Sequence, residues 1–144
     1  MPDRKPKRLI FIGECRSLTA IRRGWSWEDG RLAAKPLFEA LIAMGLDPAA
    51  QEYANLFEDP PLVRRHKRKW TTRVNEGIVS GLLVLETAKP EERPVIVALG
   101  QRVSRELAER GIEHIALVHP AARGRIRKRE RYAKHVAERL AGVA

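Results

Sequence analysis

The segments Arg8–Gly13, Pro94–Gly100 and His114–His119 each carry a short, continuous apolar run rich in β-branched residues. A strand with one wetted face alternates apolar and polar residues. Runs without alternation belong to strands covered on both faces, as in a parallel sheet between helices. Glu52–Phe57 reads as a further strand, with Tyr53 and Phe57 as its β-formers. Between the runs the apolar spacing turns helical. Pro36 opens a segment with Leu37, Phe38, Leu41, Ile42 and Met44 on one broad face, closed by Gly45. Residues 72–87 place Val74, Ile78, Leu82 and Leu85 at helical spacing, and residues 101–110 do so with Val103 and Leu107 before Gly111. A last helix, roughly 125–140, would bury Ile126, Ala133, Val136 and Leu140. Strands alternating with helices imply βαβ units with right-handed crossovers. The expected fold is a three-layer α/β/α sandwich around a four-stranded parallel sheet of order 2-1-3-4, one domain over residues 1–144.

The partner class follows from charge. The 144 residues carry a net charge of +10. Two basic clusters stand out, Arg64–Lys69 and a stretch from Arg123 to Lys134 with seven lysines and arginines. Neutralising phosphates releases counterions, so a surface this basic favours a polyanion, here nucleic acid. No apolar run approaches the roughly 18 residues of a membrane helix, and Leu9–Ile12 is too short for a signal peptide. The lone Cys15 excludes an internal disulfide and a four-cysteine metal site held by this chain alone. A cytoplasmic protein without membrane attachment is expected, and a monomer.

In an open parallel sheet, ligands bind outside the carboxyl ends of the strands. That rule brings together Glu14 after the first strand, Asn55 near the end of the second, Gln101 after the third and His119 at the end of the fourth. Each residue alone reads equally well as a loop or turn former. Their convergence on one edge is what singles them out.

Four local patterns in that order resemble the uracil-DNA glycosylase superfamily, particularly the branch containing iron–sulfur enzymes of thermophiles. They are Phe11-Ile-Gly-Glu14, Tyr53-Ala-Asn55, Val95–Gly100 followed by a helix, and Leu117-Val-His119-Pro120-Ala-Ala-Arg123-Gly124. The resemblance spans about residues 8–140. It implies a DNA glycosylase that extrudes a nucleotide and hydrolyses its N-glycosidic bond without a metal or organic cofactor. His119 would donate to the carbonyl oxygen of the departing base, and Glu14 would orient or activate water. Asn55 would pair with the base edge, and Trp27, Trp25 or Phe57 would stack on the base. Arg123 or Ile126 would wedge into the duplex. Arg125, Arg127 and Lys128 would grip phosphates, with Lys67, Arg68 and Lys69 as a second contact. Cys15 is expected to be a small packed residue rather than a nucleophile.

The chain departs from that family at defined places. Cys15-Arg16-Ser17 stands where the first motif usually continues with Pro-Gly or Pro-Tyr, Ala121 stands where serine is common, and the cluster cysteines are absent. The stretch from Leu18 to Leu32 departs as well and reads as a loop. These differences keep a second expectation open, a non-catalytic nucleic-acid-binding module on the same fold. A nucleotide hydrolase ranks below both, because the chain has neither a Walker loop nor a Gly-x-Gly-x-x-Gly fingerprint.

Overall fold

Along the first apolar run the side chains divide strictly by parity. Leu9 and Phe11 enter one core while Ile10 and Ile12 enter another, and all four are buried. The computed structural model describes residues 8–59, 73–121 and 129–143. Four strands, β1 (Leu9–Gly13), β2 (Glu52–Asn55), β3 (Val95–Leu99) and β4 (Ile115–Leu117), form one sheet of order β2-β1-β3-β4. Every pairing is parallel, with Phe11 opposite both Tyr53 and Val97. The helices are α1 (Leu18–Arg23), α2 (Ala34–Ala43), α3 (Glu76–Leu85), α4 (Gln101–Glu109) and α5 (Arg129–Arg139). Helices α2 and α5 cover the face that carries Leu9, Phe11, Val97 and Leu99. Helices α3 and α4 cover the face that carries Ile10, Ile12, Ile96 and Ala98. The three-layer α/β/α sandwich and its strand order are those expected from the sequence.

Three local differences have simple causes. The second strand stops at Asn55 rather than Phe57, because Leu56 and Phe57 both turn into the core beside α3 and α4 and alternation ends there. Phe57 instead forms an isolated antiparallel bridge with Val74. That bridge delays α3 until Asn75, whose side-chain oxygen accepts the Gly77 N–H at 3.1 Å and caps the helix. The stretch 18–32 is not merely a loop. Ser17 Oγ accepts the Ala20 N–H at 3.1 Å to start α1, and Gly24 ends it at φ 70°. A 3-10 turn, Trp27–Asp29, follows. Of the expected nucleic-acid contacts, Lys67, Arg68, Lys69, Arg123, Arg125, Ile126, Arg127 and Lys128 lie outside the described residues.

β4 is an edge strand, and α5 satisfies its outer backbone and the turn beyond it. Arg139 Nε donates to Ala116 O at 3.1 Å and the Tyr132 hydroxyl to Val118 O at 2.9 Å. The Val118 N–H donates to His135 Nε2 at 2.9 Å. Edge groups left bare would invite pairing with another chain. Among the described residues no helix is long and apolar enough to cross a membrane.

Leu41 is fully buried between α2 and the sheet, whereas its neighbour Ile42 is 62% exposed. Leu41→Ala should therefore lower the unfolding free energy by about 2–5 kcal/mol. Ile42→Ala should change it by less than about 1 kcal/mol. Urea denaturation followed by circular dichroism compares the two.

Candidate functional site at the carboxyl edge of the sheet

The strand order reverses between β1 and β3, which creates a crevice outside their carboxyl ends. Beside it lies a pocket of about 350 Å³ whose walls include Cys15, Trp25, Trp27, Asn55 and His119. A larger cleft of about 650 Å³ opens at the opposite edge, near Pro94, Gly111 and His114. Size alone favours the second. The first, however, gathers polar groups from three different strand ends, and that convergence marks a ligand site in such folds.

The floor of the pocket is built around Gly13. A methyl group at that position would collide with the Trp27 indole and would lie 2.7 Å from Asn55 Oδ1. Glycine thus lets an indole and an amide settle directly on the end of β1. There the Trp27 Nε1–H donates to Asn55 Oδ1 at 2.7 Å. An indole nitrogen only donates, so the amide atom facing it must be the oxygen. The Asn55 NH2 is left to serve as a donor. Trp27 is held in turn by its stack on Tyr53, at 6.4 Å and 15°, and Tyr53 stacks on Phe11 at 5.6 Å.

His119 follows β4 and packs against Gly100, whose φ is 100°. A methyl group at Gly100 would lie 3.4 Å from the His119 Cβ. The Ala121 N–H donates to His119 Nδ1 at 3.0 Å. In the neutral ring the proton must then sit on Nε2. Burial holds the His119 pKa below the ordinary imidazole value, and the nearby Glu14 charge opposes that only in part. His119 is therefore a neutral imidazole with an Nε2–H to donate.

Glu14 carries the negative charge of the crevice. Its Oε1 accepts from Arg102 Nη1 at 3.0 Å, joining the end of β1 to the first turn of α4 across the switch point. The same guanidinium lies 3.7 Å from the centre of the Phe57 ring. Phe57 is buried in the core beneath, and this corrects the expectation that it stacks on a ligand. Cys15 also lines the pocket, but burial and then the Glu14 charge push its thiol up to about 11. It stays protonated at neutral pH and is a poor nucleophile.

The outer wall is the segment from Arg16 to Ala33. Arg16 grips Asp59 with Nε at 2.9 Å and Nη2 at 2.6 Å, tying this wall to the chain beyond β2. Trp25 lies on the wall, with the guanidinium groups of Arg23 and Arg31 5.4 Å and 5.5 Å from its ring centre.

The fold thus brings Trp25, Trp27, Asn55 and His119 together around one pocket and sets Glu14 beside it. Gln101 is exposed and makes no hydrogen bond to another side chain among the described residues. Sequence reasoning missed Arg102, Arg31 and Tyr132. The only available signal for Arg102 was its place in the first turn after Gly100. Compared with known proteins, the chain matches no protein-family model, and its sequence matches no curated protein.

Gly13→Ala should displace Trp27 and cost about 1–3 kcal/mol of stability. The indole Nε1–H, protected in the parent protein, should exchange freely with solvent in the variant, as followed by NMR. The His119 ring should titrate below about 6.5, the ordinary imidazole value, and show the Nε2–H tautomer at pH 7 in nitrogen-15 spectra. Because its folded pKa is the lower one, the unfolded chain binds protons more readily between the two values. Stability should then rise with pH across that window through this residue.

Proposed function

We propose that this protein is a DNA glycosylase of the kind found in the uracil-DNA glycosylase superfamily, which removes uracil or another oxo-base from DNA by hydrolysis. The observation that carries the proposal is the pair of fixed donors in one pocket. Trp27 leaves the Asn55 NH2 to donate, and Ala121 leaves the His119 Nε2–H to donate. A ligand that meets two donors needs two acceptors, and the carbonyl oxygens of an oxo-pyrimidine supply them. Asn55 Oδ1 keeps a second lone pair, which can accept the ring N–H between those carbonyls. An exocyclic amine facing the Asn55 NH2 would set donor against donor, which counts against cytosine.

The chemistry then follows from charge. As the bond from C1′ to the base nitrogen lengthens, its electron pair goes to the base and the sugar becomes cationic. The His119 Nε2–H meets the negative charge gathering on a base oxygen. A neutral imidazole suits this role because its proton is held and not given away. Glu14, anchored by Arg102, offsets the positive sugar and orients the water that attacks C1′. The water proton leaves through Glu14 or solvent, and the base anion is protonated on release. Trp25 and Trp27 flank the base. DNA is the partner, and base excision repair is the process this chemistry serves.

Arg102 also motivates a second reading. Arg102 Nη1 occupies Glu14 Oε1 at 3.0 Å, an oxygen that would otherwise face water, and Ala121 takes the place of the family's usual serine. Both suit a non-catalytic module that binds DNA on the same scaffold.

The deciding experiment is alkali cleavage of labelled oligonucleotides carrying uracil, hypoxanthine, xanthine or modified cytosines, with EDTA present. Abasic-site formation from one of these substrates is expected. Binding without cleavage of any of them would favour the second reading. His119→Ala should slow single-turnover excision by about 100-fold or more, the cost of removing a transition-state donor. DNA affinity should change little. An equal loss in both would make His119 a binding or folding residue.

A further inference from the structure

The wall from Arg16 to Ala33 is ordered without being part of the core. Helix α1 contains no buried residue, nor does the 3-10 turn after it. Its shape is held by polar ties and glycines. Ser17 caps α1, the Ser26 N–H donates to Asp29 Oδ2 at 2.7 Å, and Gly24 and Gly30 turn the chain at φ 70° and 65°. Arg16 clamps the base of the wall to Asp59. Seated on the core through the half-buried Trp27 but with no fully buried residue in α1 or the 3-10 turn, this segment adds little to the core, so its exposed side chains point to its use.

Those side chains are of one kind. Arg22, Arg23 and Arg31 are exposed, and among the described residues none of them forms an ion pair. Of the wall's two acidic groups, Asp29 accepts the Ser26 N–H and starts the 3-10 turn, and among the described residues neither Glu28 nor Asp29 forms an ion pair with these arginines. Arg23 and Arg31 converge on the Trp25 ring, and Arg31 and Trp25 also line the pocket. A guanidinium resting on an indole keeps its N–H fork for an anion and loses less freedom when it binds one. Beside them Leu32 is 47% exposed and held at φ 52°, the one non-glycine residue with positive φ among those described. Such a conformation is unfavourable for a side chain as bulky as leucine and persists only where the surroundings impose it.

We infer that this lip is a phosphate clamp. Arg23 and Arg31, presented on Trp25, grip the nucleic-acid backbone on either side of the nucleotide whose base enters the pocket, with the strained Leu32 at the rim between backbone and pocket. The inference rests on the proposed function only in taking nucleic acid as the partner. It does not require excision. It also places contacts in a part of the chain outside the basic clusters that stand out in the sequence.

The test is fluorescence anisotropy with a fluorescein-labelled 21-mer DNA, as a duplex with a central uracil and as the single strand, titrated between 50 and 200 mM NaCl. Each lost phosphate contact lowers the slope of log affinity against log salt by about 0.9 on duplex and about 0.7 on single strand. The Arg23→Gln/Arg31→Gln double variant should lower it by about 1.8 or about 1.4, with an unchanged melting temperature. Lys89→Gln/Arg93→Gln removes equal charge at the opposite edge of the sheet and should leave the slope as in the parent. Three results would overturn the clamp. They are a parent protein that binds neither DNA, a lip variant with the parental slope, and an equal fall in both double variants, which would report overall charge alone. Lip-dependent binding by a protein that excises no base would leave the clamp standing and remove the glycosylase reading.

Discussion

One hydrogen bond, from the Trp27 indole to the Asn55 amide above Gly13, joins the two halves of the carboxyl edge. On one side stands the sheet, secured by a core that needs no help. On the other stands a wall with almost nothing buried in it. Apart from Arg16 on Asp59, this contact is the chief polar tie between them. It sets the position of the wall, the width of the pocket and the orientation of the amide together. Any side chain on residue 13 would disturb all three.

The same economy recurs at His119. Its partner is a backbone N–H two residues along the chain, which fixes the tautomer with no second side chain in the pocket. Asn55 and His119 both line the pocket, and each has its acceptor atom engaged, by an indole and by a peptide group, which leaves each a free donor. Fixed dipoles of this kind need no reorganisation when charge develops on a ligand, which is how preorganised sites lower barriers. Glu14 differs. Its partner is a charged side chain that also rests on the Phe57 ring, so the carboxylate is anchored by an ion pair rather than by a backbone group.

Much of the scaffold was legible in the sequence, since continuous apolar runs between helical periods admit few arrangements. The parallel sheet and the convergence of Glu14, Asn55 and His119 on one edge follow from those runs and from the rule for open parallel sheets. What escaped the sequence was set by contacts between distant residues. Phe57 has the composition of a strand residue or a stacking ring, yet a break in alternation at Leu56 sends it into the core. The wall looked like a loop because caps and glycines, not apolar periodicity, define it. Trp27 suggested a stacking surface, whereas the role visible in its geometry is that of a hydrogen-bond donor, which only the position of Asn55 reveals. Arg102 could not be distinguished from any other arginine until the switch point placed it against Glu14.

The turn that carries His119 is held at both ends by imidazoles acting as acceptors. His135 takes the Val118 N–H at one end, and His119 itself takes the Ala121 N–H at the other. Burial, the foremost cause at both rings, keeps each neutral. Protonation turns an acceptor nitrogen into a donor, so either ring, once charged, must release its backbone partner. Acid therefore acts on this turn twice, through His135 on α5 and through His119 within the turn itself, while the Tyr132 hydroxyl still holds Val118 by its carbonyl. The end of β4 behaves as a latch with two acid-labile pins and one that is indifferent to pH in that range.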